Sequence, residues 1–88
     1  MSKFIRNNKT ISGRLLDEMV MMDIEKGKYF SLNPVATHIW DLIEKPMGIE
    51  ELCAVLMEEY EVSHDQCLSE VREHLREMVR LGIVLETE

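Results

Sequence analysis

Apolar and polar residues alternate over residues 18–32, and this pattern predicts the two strands of a β-hairpin. The turn is predicted at residues 25–27, where the final glycine suits a type I turn closed by a residue in the left-handed conformation. A loop of this length sets a register in which one apolar face holds Val20, Met22, Phe30 and Leu32. Met19 and Met21 are then expected on the opposite face of the sheet.

Capping and breaker residues divide the rest of the chain into one further strand and three helices. Strands are predicted over residues 10–16, 18–24 and 28–32, and helices over 34–44, 49–60 and 66–81. The caps are Asn33, Gly48 and Ser63 before the helices and Gly82 after the last one. The order of elements predicts an α+β fold that is winged helix-turn-helix-like, with a three-stranded antiparallel sheet followed by three helices.

The length of 88 residues and the apolar fraction of 45% predict a single globular domain with one modest core. This domain is expected to span residues 10–88, after a flexible polar arm over residues 1–9. The short apolar segment 83–85 is expected to pack back on the core.

The net charge of −7 argues against two classes of partner. Nucleic-acid binding needs clustered Lys and Arg, and anionic membrane surfaces attract basic segments. The chain has no apolar run near the ~20 residues of a membrane span, and its first residues lack the apolar core of a secretory signal. Two cysteines, Cys53 and Cys67, do not make a disulfide scaffold, so reduced thiols and a cytoplasmic location are predicted.

Candidate catalytic and metal-binding residues are few. His64 and Cys67 lie three residues apart on the third predicted helix, but a zinc site needs four ligands and no second cluster supplies them. A Cys–His nucleophilic pair would also need an orienting residue, an oxyanion hole and a substrate pocket. The glycines are isolated and form no phosphate-binding loop. The sequence therefore predicts a protein that is not an enzyme and holds no metal or cofactor.

Two features are typical of peptide binding. The strand 28–32, if it lies at the edge of the sheet, offers unpaired backbone groups to another strand. On the third predicted helix Arg72, Arg76 and Arg80 recur every four residues. They form either a charged solvent-facing surface or a cationic rim that contacts the carboxylates of a bound peptide.

The segment VMMDIEKGKYFSLN, the pair Ile39-Trp40 and the later LGIV resemble the PqqD-like family. The resemblance spans roughly residues 10–85 and depends most on Gly27, Tyr29, Phe30, Leu32, Asn33, Ile39 and Trp40. Two departures, at residues 35–37 and at Gly48, lie outside the strand 28–32.

This resemblance implies a stand-alone recognition protein of lasso-peptide biosynthesis. Such a protein binds the leader of a ribosomally made precursor peptide and presents it to maturation enzymes, chiefly a leader-cleaving cysteine peptidase. The leader would add as an antiparallel strand to residues 28–32 and lie against the third helix. The implied site residues are Lys28, Tyr29, Phe30, Ser31 and Leu32 on the strand and Leu68, Val71, Arg72, Leu75, Arg76 and Val79 on the helix. Which flank of that helix faces the leader is left open.

Two other functions compete with leader binding. The predicted topology is also that of a winged-helix DNA-binding regulator, although the acidic charge weighs against it. A structural subunit could use the same strand edge to pair with itself. The expected state is a monomer or a weak dimer.

Overall fold

The computed structural model describes residues 2–15 and 18–88. Its elements in chain order are β1 (Lys3–Arg6), β2 (Thr10–Leu15), β3 (Glu18–Asp23), β4 (Lys28–Leu32), α1 (Pro34–Leu42), α2 (Ile49–Glu59), α3 (His64–Arg80) and β5 (Val84–Thr87). Strands β2, β3 and β4 form an antiparallel sheet in that order, and three helices follow. The predicted α+β class and the three-stranded sheet are confirmed. Leu16, which the sequence prediction included in the first strand, lies outside the described residues.

The β3–β4 hairpin has a longer loop than the sequence predicted. Asp23 pairs with Lys28, so residues 24–27 form a four-residue loop. The Asp23 carboxylate accepts from the backbone N–H groups of Glu25 at 2.9 Å and Lys26 at 3.2 Å. The Asp23 carbonyl accepts from the N–H of Gly27, which has a φ of 65°. An aspartate that bonds to the backbone two and three residues ahead favours a turn that starts at its own position.

This loop shifts the register by one residue and exchanges the two faces of β3. Met21 pairs with Phe30 and Met19 with Leu32. Met21 is 0% exposed and Met19 is also buried, whereas Val20 and Met22 are half-buried on the opposite face. The predicted inward placement of Val20 and Met22 is therefore wrong. Because β3 has apolar residues at four successive positions, the hydrophobic pattern alone is compatible with either register.

The N-terminal segment is ordered where a flexible arm was predicted. Strand β1 pairs antiparallel with β5, and Phe4 also exchanges two backbone hydrogen bonds with Met47. Arg6 donates to the carbonyl of Trp40 at 2.8 Å and lies over its ring at 5.0 Å. Asn7 bonds to the carbonyls of Ile83 and Gly82. The prediction of a flexible arm over residues 1–9 is therefore wrong. The polar sequence of this segment did not indicate its partners, because they lie far away along the chain.

The helices begin at the predicted caps and end one or two residues earlier than predicted. Asn33 accepts from the N–H of Ala36 at 2.8 Å, and Ser63 accepts from that of Gln66 at 3.1 Å. At the start of α2 the N–H of Gly48 donates to the carboxylate of Glu51. Within residues 2–15 and 18–88, no helix combines the length and hydrophobicity that a membrane-spanning segment requires.

One hydrophobic core joins the three-stranded sheet to all three helices. Its fully buried members include Met21 from β3, Ile39 from α1, Leu52, Cys53 and Leu56 from α2, Val71, Leu75 and Met78 from α3, and Ile83 and Val84 beyond it. The predicted packing of the 83–85 segment is confirmed for Ile83 and Val84, whereas Leu85 is exposed. Cys53 and Cys67 are free thiols buried between α2 and α3.

We predict that truncating Met21 destabilises the protein far more than truncating Met22. Met21→Ala should reduce the free energy of unfolding by about 2–5 kcal/mol, because it opens a cavity in the core. Met22→Ala should cost about 1 kcal/mol or less, because this side chain lies on the solvent face. Urea unfolding of the two variants measures the difference. Equal losses, or a larger loss for Met22→Ala, would contradict the register.

We also predict that Cys53 makes stability fall at alkaline pH. Burial and the neighbouring Cys67 raise the pKa of Cys53 from 9.0 to about 12. Above pH 9 the unfolded chain therefore releases this proton while the folded protein keeps it, so stability is lost as pH rises towards 12. Between pH 9 and 10 the wild type should lose about 1 kcal/mol more than Cys53→Ala. Parallel pH profiles in urea unfolding would exclude this role.

Candidate functional site

The free edge of β4 borders a groove whose far wall is α3. Strand β3 pairs with one edge of β4, and no strand among residues 2–15 and 18–88 pairs with the other. The groove has a volume of about 460 Å³. Its lining comes from β4, the start of α1 and one flank of α3, namely Tyr29, Phe30, Ser31, Leu32, Asn33, Ala36, His74, Glu77, Met78 and Leu81.

The floor of this groove is apolar. Leu32, Ala36 and Met78 are buried beneath it, and Phe30 and Leu81 are partly buried and pack against the core. Tyr29 stands at the rim with 73% of its surface exposed. Because Ala36 is small, the first turn of α1 leaves room above it for a side chain from a bound segment. The site therefore combines a row of backbone hydrogen-bonding groups with an apolar cleft beside it.

One wall of the groove carries an ion pair. Arg80 donates to the carboxylate of Glu77, with its Nε 2.9 Å from one oxygen. This hydrogen bond is the main cause that lowers the pKa of Glu77, so the group remains a carboxylate throughout the neutral range. Both side chains are largely exposed, so the ion pair contributes little to stability. Its effect is to hold a carboxylate beside the cleft.

The structure brings together the strand half of the predicted site. All five residues from Lys28 to Leu32 lie on the edge strand. Lys28, Tyr29 and Ser31 are exposed, Phe30 is half-buried and Leu32 is buried on the core side. The sequence prediction of an accessible edge strand is confirmed in its topology.

The helical half of the predicted site is placed differently. Val71 and Leu75 are each 1% exposed and belong to the core. Arg72, Arg76 and Val79 border a separate cavity of about 580 Å³ with residues of β1 and α2, and Leu68 lies in a shallow depression with the two arginines. None of these six residues lines the groove beside β4.

The flank of α3 that faces β4 carries His74, Glu77, Met78 and Leu81 instead. These positions follow the spacing of three and four residues that defines one helix face. The sequence contains that spacing, but it contains the Arg72–Arg76–Val79 spacing equally well. Which flank meets β4 depends on the rotation of α3 about its axis. In the structure this rotation buries Met78 next to the groove.

The residues considered for metal binding are engaged elsewhere. The Nε2 of His64 lies 3.0 Å from the carboxylate of Glu50, whereas Cys67 is buried against Cys53. Over residues 2–15 and 18–88, no group of three or more His, Cys, Asp and Glu residues is close enough to hold a metal ion.

Comparisons with known proteins agree with this fold. The family model of coenzyme PQQ synthesis protein D (PqqD) matches residues 18–84, which include the β3–β4 hairpin and all three helices. The fold is similar to that of TbiB1 in complex with the TbiA(β) leader peptide, with a TM-score of 0.83, 26% identity, and coverage of 91% of this chain and 93% of that chain. It is also similar to a lasso peptide synthetase B1 complexed with the leader peptide, with a TM-score of 0.82, 21% identity, and coverage of 93% and 96%. No curated protein sequence matches the chain.

Proposed function

This chain belongs to the PqqD family, and on that premise we propose that it binds the leader of a ribosomally made precursor peptide without catalysis. The single observation that carries this proposal is the free edge of β4 beside the apolar groove of α3. The likeness to TbiB1, whose structure contains a leader peptide, supports it. The pathway is the biosynthesis of a lasso peptide.

Binding occurs by strand addition. The leader pairs antiparallel with residues 28–32, so main-chain hydrogen bonds supply affinity that depends little on its sequence. Every second leader side chain points towards the groove, where the apolar floor selects for hydrophobic residues.

The bound leader is presented to a leader-cleaving cysteine peptidase in the cytoplasm. In this proposal the protein contributes recognition and the partner enzyme contributes the chemistry. DNA binding has no observation in its favour, because residues 41–88, which contain most of the helical part, hold 13 of the 17 acidic residues and only four of the ten basic ones.

The test is a fluorescence-anisotropy titration with the labelled leader of the precursor peptide from the same biosynthetic system, at two salt concentrations. Saturable binding at micromolar Kd or tighter is expected, with a modest salt effect because strand pairing dominates. A scrambled leader is the control. Absence of binding at hundreds of micromolar protein would refute the proposal.

We predict that N-methylation along the leader weakens binding with a period of two residues. Successive N–H groups of a strand point to opposite edges, so only alternate methyl groups meet β4. Methylation at these positions should raise Kd about tenfold or more, and methylation at the intervening positions should change it less than about twofold. On the protein itself, Ser31→Pro on β4 should weaken leader binding. Ser12→Pro on β2, the other edge of the same sheet, is the matched control and should not. A uniform effect of methylation would contradict strand addition.

We predict that the groove flank of α3, and not its arginine flank, determines leader affinity. Leu81→Lys places a charge beside the apolar floor and should raise Kd about tenfold. Val79→Lys is the matched control, because Val79 is also partly buried on α3 but borders the separate cavity with Arg72 and Arg76. It should leave Kd within about twofold. The opposite ranking of the two variants would restore the helical wall that the sequence suggested.

A further inference from the structure

The outer face of the three-stranded sheet carries an apolar row of three residues, of which Tyr29 alone also lines the proposed leader groove. Ile11 on β2 pairs with Met22 on β3, and Met22 pairs with Tyr29 on β4, so the three side chains stand in line across the sheet. They lie on the face opposite the core. Ile11 is 51% exposed and Tyr29 is 73% exposed. Apolar side chains aligned in this way across three strands are typical of a protein interface.

The neighbouring row of the same face forms a depression. Gly13 pairs with Val20, and a side chain at Gly13 would meet no atom within 4 Å. The absence of a side chain there leaves a hollow of about 400 Å³ beside Val20 and Met22. A hydrophobic side chain from a partner would fill it. We refer to Ile11, Gly13, Val20, Met22 and Tyr29 together as the outer sheet face.

This surface is continuous with the leader groove. Tyr29 lines both the hollow on the outer sheet face and the groove beside α3. A leader strand added to β4 extends the sheet by one strand and sends alternate side chains to the outer side. A protein seated on the outer sheet face would therefore contact this chain and its bound leader together.

Strand alternation gives the outer sheet face little positive charge, because Arg14 and Lys28 lie in register with Met19 and Asp23 on the core-facing side. Residues 1–40, which contain the sheet, hold six basic and four acidic residues for a net charge of +2, whereas residues 41–88 carry −9. The acidic helices disfavour an acidic partner surface, so an uncharged apolar partner surface fits the outer sheet face.

We propose that the outer sheet face is the docking surface for the leader-cleaving peptidase, which meets it with an apolar patch. This inference rests on the proposed function, because the composite surface exists only when a leader is paired with β4. The peptidase should consequently bind the leader-loaded protein more tightly than the free protein.

The experiment compares two exposed aliphatic residues of similar accessibility. Ile11→Lys charges the outer sheet face, and Leu85→Lys places the same charge on β5, where Leu85 is 47% exposed. Two dissociation constants are measured for each variant: the Kd for the leader, and the Kd of the leader-loaded protein for the peptidase of the same biosynthetic system. The nucleophile of the peptidase is replaced so that the leader stays intact. Ile11→Lys should raise the Kd for the peptidase about tenfold or more and leave the Kd for the leader within about twofold. Leu85→Lys should change neither.

A second pair of variants shows whether a loss of affinity comes from a folding defect in the first pair. Met22→Lys on the outer sheet face and Met57→Lys on α2 should reproduce the contrast, and circular dichroism melting reports whether each variant folds. Three results would overturn the inference. The folded sheet variants could both keep the wild-type Kd for the peptidase, or the control variants could lose as much peptidase affinity as the sheet variants. The third is a peptidase affinity that does not increase when the leader is bound.

Two further outcomes are distinguishable. If the wild type fails to bind leader, the proposed function fails, irrespective of the peptidase result. If sedimentation shows a wild-type dimer that Ile11→Lys dissociates, a second copy of the chain occupies the outer sheet face and the docking inference is refuted.

Discussion

Asp23 closes the β3–β4 loop with its carboxylate and its carbonyl, and the register that follows decides what the three-stranded sheet presents to the core and to solvent. Because Leu32 is followed at once by the Asn33 cap of α1, β4 has little freedom to rotate. Strand β3 must therefore adapt, and it buries Met19 and Met21. The alternative register would expose these two side chains and bury Val20 and Met22 in their place.

Strand β4 links the two surfaces that we propose bind the leader and the partner enzyme. Its inner side chains, Phe30 and Leu32, anchor it on the core and form the base of the groove. Its outer residue Tyr29 joins the groove to the outer sheet face. Its free edge lies between these surfaces, so a paired leader would become part of both. Strand β4 is held on one edge by β3 and on one face by the core. Because it is already ordered, it loses little conformational entropy when a peptide adds to its other edge.

The N-terminal strand contributes by where it lies. By pairing with β5 and bonding to Met47, β1 ties the end of α3 to the connection between α1 and α2. It thus covers neither the free edge of β4 nor the outer sheet face. The third surface, a cavity between β1, α2 and the arginine flank of α3, is separate from both.

The sequence by itself determined the types and the order of the six elements from β2 to α3, and the helix caps. Those properties depend on local signals, such as Asn33-Pro34, Ser63 and Gly82, whose effects reach only a few residues. Only the tertiary structure decided the β3 register, the pairing of β1 with β5 and the flank of α3 that meets β4. The first depended on a side-chain hydrogen bond of Asp23 that competes with an ambiguous apolar run, and the second joins residues about 80 positions apart. The third is the rotation of α3, since the sequence allows either flank of this helix to face β4. That rotation is set by how Val71, Leu75 and Met78 pack in the shared core.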